Sequence, residues 1–309
     1  MTQNGNAPIE TGSAAAESTF QESTAKSQTP VAGVQMDIKL GDNAGNVARM
    51  IAQLDDPRVA SAKLVVFPEC AVSGYCFDSR EEAWPHAETI PGSSTEAMLA
   101  AAKRFDKHLV FGMLERAGDE LYNCCVLLGP EGIVGRYRKT HLPFLGIDRF
   151  VDRGTEPLRV YDIGSMRIGL HICYDGSFPE TVRILTLLGA DLVVLPTNWP
   201  PGADTFAEYI PNARALENHI YYLAVNRVGE ERGFQFIGTS KFCLPSGRAP
   251  SVGSATEADI VTGSVQPHIV RNKRLVRVPG KHLIDRLADR RPELYGPLCE
   301  PHGLVRDES

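Results

Sequence analysis

From residue 31 to residue 265, apolar positions either alternate with polar ones or run unbroken over four to six residues, which predicts strands interleaved with helices. Residues 31–39 (VAGVQMDIK) alternate and predict a strand. Asp42 and Asn43 offer helix caps, and Val47, Ile51 and Leu54 follow at helical spacing. Residues 64–67 (LVVF) read as a short buried strand running into Pro68 and Glu69, followed by a turn-rich loop through Ser73, Gly74 and Tyr75. A helix is predicted over 94–107 and a strand over 109–114. Strands 121–128 and 133–138 form a hairpin around Gly129, Pro130 and Gly132. A second hairpin joins 158–163 to 167–172 and ends at Cys173.

A helix over 178–188, closed by Gly189, leads to a strand at 192–195 that ends in Pro196, Thr197, Asn198 and Trp199. Residues 203–218 read as a helix that Pro211 breaks or kinks. Residues 220–227 form a strand, and 234–244 open a hairpin whose partner is 259–265. A short helix is expected at 283–287, and residues 286–309, rich in proline and charge, read as a C-terminal arm. No break divides 31–285, so this stretch is one domain. Strands outnumber helices and alternate with them, which favours a layered α/β fold.

Composition narrows the class. The chain has 309 residues, 43% of them hydrophobic, and a net charge of −6, with no basic run beyond a cluster at 271–277. That argues against a nucleic-acid partner. No apolar run approaches the roughly 20 residues needed to span a bilayer, so no membrane partner is expected. Residues 1–30 are rich in Ala, Ser, Thr, Gln and Glu, lack the pattern of an export signal, and read as a disordered tail. Seven cysteines contain no C-x-x-C pair, an odd count that fits a reduced cytoplasm better than a disulfide framework.

Polar groups stand at four strand ends: Glu69, Lys139, Cys173 and Asn198. Sites in α/β folds gather at such ends. Cys173 closes a buried strand just before a helix start, where backbone N–H groups favour a thiolate. A cysteine nucleophile also needs a base and a group to hold the oxyanion. Glu69, partly buried after an apolar strand, suits the base. Lys139 points away from Arg136 and Arg138, and a cation beside Cys173 would lower its pKa. No histidine is required. His141 and His171 read as structural groups, and Cys70 and Cys76 as packing.

FPECAVSGY at 67–75, GRYRKTHLP at 135–143 and HICYDGSFPE at 171–180 resemble, in order and separation, the three signature blocks of the nitrilase superfamily of carbon–nitrogen hydrolases. Segments 195–200, 214–218 and 226–229 resemble its later blocks. The resemblance implies a four-layer αββα sandwich, associated through helices into a homodimer or higher homo-oligomer. It implies Glu69 as general base, Lys139 as oxyanion partner and proton donor, and Cys173 as nucleophile forming a thioester, with no metal or organic cofactor. The Tyr174 backbone N–H would complete the oxyanion hole. Many family amidases carry a second glutamate between the lysine and cysteine blocks. Here the nearest carboxylate is Asp148, a methylene shorter. Tyr75, Asn198 and Trp199 are candidates for substrate contact.

Tyr174 and Asp175 after the cysteine, where true nitrilases commonly carry Trp-Glu, resemble the amidase and N-carbamoyl amidohydrolase branches. The expected activity is hydrolysis of a small linear amide or N-carbamoyl compound with release of ammonia. The alternatives are a nitrilase and a non-catalytic binding protein of the same fold. Arg149, Arg153 and Arg214 are available to bind a substrate carboxylate.

Overall fold

The computed structural model describes residues 28–301. Its strands, in chain order, are β1 (Thr29–Gln35), β2 (Leu64–Val66), β3 (His108–Ala117), β4 (Glu120–Gly129), β5 (Gly132–Arg138), β6 (Val160–Asp162), β7 (Arg167–Leu170), β8 (Leu192–Pro196), β9 (Tyr221–Val225), β10 (Glu230–Glu231), β11 (Phe234–Gln235), β12 (Lys241–Cys243), β13 (Ser251–Val252), β14 (Asp259–Val265), β15 (Arg274–Val278) and β16 (His282–Asp285). The helices are α1 (Asn43–Gln53), α2 (Arg80–Ala83), α3 (Ser93–Phe105), α4 (Pro179–Leu187), α5 (Asp204–Asn218) and α6 (Pro267–Arg271). Asp42 caps α1 by accepting from the Gly45 N–H, as its position before the apolar repeat predicts.

Two six-stranded sheets form the centre, ordered β14-β1-β2-β3-β4-β5 and β13-β12-β9-β8-β7-β6. Period-2 alternation assigns their faces. In the first sheet Val31, Leu64, Val66, Val110, Cys125 and Leu127 point inward, into one core with Ile168, Leu170, Val194 and Leu223 of the second sheet. The intervening residues Ala32, Val65, Leu109, Phe111 and Val126 point outward, onto Val47 and Met50 of α1 and Met98 of α3. Val182 and Leu185 of α4, with Ala207 and Ala215 of α5, cover the other outer face. The result is a four-layer αββα sandwich, as expected.

The structure corrects several local expectations. Strand β14 does not pair with 234–244; it pairs antiparallel with β1, Val261 facing Gly33, while β12 lies between β9 and β13. Alternation marks a strand but carries no information about its partner. The expected helix at 283–287 is instead β16, which hairpins onto β15 through a turn holding Gly280 at φ 68. The Pro279–Gly280 pair was the signal for that turn. Helix α5 continues through the buried Pro211. Residues 1–27 of the expected tail lie outside the described residues, and Thr29 and Pro30 belong to β1. Among the described residues no helix is long and apolar enough to cross a membrane.

Candidate active site

Glu69 lies in the loop that leaves β2, and β3 holds that loop. The Gly112 N–H donates to the Pro68 carbonyl, and the Gly112 carbonyl accepts from Val72 N–H. A side chain at 112 would come within 2.3 Å of the Cys70 nitrogen and 2.7 Å of Glu69 Cα, so only glycine permits the approach. Lys139 follows β5, with its N–H donating to the Asn123 carbonyl. Asp148 sits on a single 3-10 turn, Gly146–Arg149.

These three side chains form one buried cluster, Lys139 and Glu69 being fully enclosed with Asp148. Lys139 Nζ donates to Glu69 Oε1 at 2.7 Å and to Asp148 Oδ2 at 2.5 Å. Asn123 Nδ2 donates to Glu69 Oε1 at 2.8 Å and Asp148 Oδ1 at 2.9 Å. Tyr75 donates its hydroxyl to Asp148 Oδ2 at 2.7 Å. Asn198 Nδ2 donates to the Glu69 carbonyl at 3.0 Å. Lys139 and Asn123 thus each bridge the carboxylates of Glu69 and Asp148. The shorter side chain reaches because the 3-10 turn brings its backbone close. Glu156, by contrast, pairs with Arg136 at the surface.

Burial raises the Glu69 pKa; the Lys139 charge opposes this and that of Asp148 reinforces it. Lys139 is also penalised by burial, but the charges of Asp148 and Glu69 outweigh this and hold it protonated. Two carboxylates thus share one fixed cation in a fully enclosed site. Glu69 Oε2 is buried and accepts no hydrogen bond among the described residues.

Cys173 is buried and adopts a left-handed backbone, φ 43, at the start of a 3-10 turn, Cys173–Ser177. The α-helix begins only at Pro179. This corrects the helix-start rationale for a ready thiolate. Burial, reinforced by the Glu69 charge, pushes the thiol up to about 12, while Lys139 and polar groups of Thr197 and the Asn198 backbone act in the opposite sense. Cys173 is thus held as a thiol, which would need a base to take its proton before it could act as a nucleophile.

Asp175 shapes this turn. It accepts from the Ile172 N–H at 3.0 Å and the Tyr137 hydroxyl at 2.8 Å, and from the His141 N–H at 3.0 Å, tying the lysine segment to the cysteine segment. His141 Nδ1 lies 2.7 Å from Asp175 Oδ1, and its ring stacks on Phe178. Although burial opposes ionisation, the His141 contact and further hydrogen bonds keep Asp175 below the usual carboxylate range. Arg214 donates to the Gly176 and Ser177 carbonyls, so it braces the turn, whereas Arg149 lies over Phe144 and Phe150.

Tyr174 is 39% exposed beside the buried sulfur, its ring edge-on to Phe178. Tyr75 is 1% exposed and stands behind Asp148, and Trp199 is 3% exposed, packed on Phe206. Sequence reasoning missed Asn123. Its signal was a lone amide inside the apolar run of β4, where a buried polar group needs partners. No three His, Cys, Asp or Glu side chains gather to hold a metal ion among the described residues.

His171 is buried against the Tyr222 hydroxyl, 2.8 Å from Nε2, and burial lowers its pKa to about 4. Below pH 6.5 the unfolded chain protonates this ring, whereas the folded chain resists until about pH 4. Stability should therefore fall with pH across this window, by about 3 kcal/mol in all. Urea midpoints of the wild type and His171→Asn should converge as pH drops from 6.5 to 4. A constant gap between them would refute this.

A family model described as carbon-nitrogen hydrolase matches residues 30–274. A protein of Pyrococcus abyssi named nitrilase is 38% identical over 269 residues, covering 86% of this chain and 98% of its own length. An (R)-stereoselective amidase of a Pseudomonas species is 35% identical over 226 residues, covering 70% of this chain and 77% of its own. The crystal structure of a carbon-nitrogen hydrolase from Helicobacter pylori superimposes with a TM-score of 0.79 at 21% identity, covering 89% of this chain and 99% of that one. With the match spanning both sheets and every residue of the cluster, the chain belongs to the carbon-nitrogen hydrolase family of the nitrilase superfamily.

Proposed function

We propose that this hydrolase cleaves the C–N bond of a small linear amide or N-carbamoyl compound through a Cys173 thioester. The observation that carries this reading is the unpartnered Glu69 Oε2, a buried acceptor whose charge is felt at a protonated thiol. The Cys173 thiol gives its proton to Glu69 as sulfur attacks the carbonyl carbon. Charge developing on the oxygen faces the Lys139 ammonium. The C–N bond breaks as Glu69 returns the proton to nitrogen, and ammonia leaves. Water then attacks the thioester, passing a proton to Glu69 and from there to the departing sulfur. Asp148 holds Lys139 in place, and Tyr174, half-exposed at the mouth, meets the substrate.

The amidase relative and the Tyr174–Asp175 pair support amide over nitrile. The relative named nitrilase supports the second reading, in which the same thiol adds to a nitrile carbon. Purified protein supplied with matched amides, N-carbamoyl compounds and nitriles should release ammonia from the first two classes. Acid formed from nitriles alone would transfer the assignment to the second reading.

We also propose that the chain pairs with a second copy through α4 and α5. Ile184 and Leu187 of α4 and Tyr209 and Leu216 of α5 are between 40% and 58% exposed, apolar side chains that a second copy would cover. Light scattering should give a dimer or larger mass that Leu187→Asp reduces. A monomeric wild type would refute the pairing.

A further inference from the structure

Arg227, just past β9 of the second sheet, and Glu231, on the two-stranded β10-β11 ribbon that follows, form a buried ion pair, Arg227 Nη1 donating to Glu231 Oε2 at 2.7 Å. Arg227 also donates to the Ile38 carbonyl at 2.6 Å and lies under the Phe236 ring. The other oxygen of Glu231 reaches the first sheet's catalytic loop. Oε1 accepts from the Tyr75 N–H at 2.8 Å and the Cys76 N–H at 2.6 Å.

Tyr75 then organises the segment that carries Asp148. Its carbonyl accepts from the Ile147 N–H at 2.8 Å, and its hydroxyl donates to Asp148 Oδ2. Gly146 lies flat on its ring: an added Cβ would come within 2.5 Å of Tyr75 Cε1. The same Asp148 oxygen accepts from Lys139. A continuous run of contacts therefore leads from Glu231 to the ammonium of the cluster. Glu231 touches none of the reacting groups.

We propose that Glu231 is a positioning residue, which fixes the Tyr75 backbone so that Tyr75 in turn sets Asp148 against Lys139. The proposal rests on the functional reading above for its turnover readout only. A rival role, mere neutralisation of Arg227, makes the opposite prediction when both charges are removed.

Two double variants separate them. Arg227→Met with Glu231→Gln keeps an acceptor for the two N–H groups, and Arg227→Met with Glu231→Leu does not. The first should keep kcat within a few-fold of wild type. The second should lose about 10- to 100-fold, the effect of a misplaced catalytic group. Alkylation of Cys173 by chloroacetamide, mapped by mass spectrometry, should slow in parallel. Tyr75→Phe should give a similar loss by itself and add little to the Leu variant, since both break one run of contacts. Equal activity of the two double variants, or independent multiplication of the two losses, overturns the proposal. If the Leu variant does not fold, full activity and alkylation in Tyr75→Phe overturns it equally. A wild type inert on every amide and nitrile would sink the functional reading, and the alkylation rates would then decide the positioning role alone.

Discussion

Replacing Cys173 by alanine should lower ammonia release from an amide substrate by at least about 10⁴-fold, the scale of losing a nucleophile. The fold should survive. The substitution removes one sulfur atom from a side chain at the edge of the core, worth about 1 kcal/mol, and shifts the melting temperature by only a few degrees. Alanine must still adopt the left-handed backbone of this position, which Asp175 and Arg214 hold from both sides. The competing thiol is Cys70, adjacent to Glu69. Its sulfur faces Asn123 Oδ1, and burial together with the Glu69 and Asp148 charges keeps it well above the usual cysteine range, despite Lys139. Quenching a reaction with wild-type protein should therefore leave an acyl mass on the peptide containing Cys173 and none on that containing Cys70. Wild-type rates in Cys173→Ala, or acyl mass on Cys70, would remove the proposed mechanism.

The second large effect is on stability as well as turnover. Lys139→Met leaves Glu69 and Asp148 facing each other in a buried site with their shared cation gone. Breaking such a cluster by removing one partner is expected to destabilise the fold by about 3–5 kcal/mol. The pH dependence has a definite sign. Without the ammonium, burial and mutual repulsion raise the carboxyl pKa values in the folded state above those of the unfolded chain. Such groups contribute stability at low pH that is lost as pH rises. The defect in urea midpoint should thus be larger at pH 8 than at pH 5. Adding Asp148→Asn should recover much of the stability without recovering turnover, because the oxyanion partner is still missing. A Lys139→Met protein as stable as wild type at pH 8, or an active double variant, would refute this account.

Much of the molecule is legible in one dimension. The interleaving of strands and helices points to a layered α/β fold, the family resemblance implies its αββα order, and the structure divides the strand faces between the inner core and the helix-covered outer core. Glu69 and Cys173 stand out because each ends an apolar strand with a group that burial makes costly, Lys139 because it turns away from the two arginines before it, and their three blocks keep a recognisable order. Local rules could not reach further. The partner of β14 depends on β1, more than 220 residues away, and alternation says only that a strand exists. Asn123 is one amide in a strand until folding places two carboxylates against it. In sequence Asp148 is only the nearest carboxylate to the place of the family's second glutamate, a methylene shorter, and the 3-10 turn, folded around Tyr75, delivers it to Lys139.

The residue types and spacing of the chain thus determined the strand and helix pattern, the family and the three groups at the strand ends. Only the tertiary structure decided their ionisation and aim. A pKa depends on what surrounds a group, and burial turns the expected Cys173 thiolate into a thiol awaiting its base. Orientation depends on contacts between distant segments, such as Glu231 on Tyr75 and Asn198 on Glu69, which no local pattern encodes.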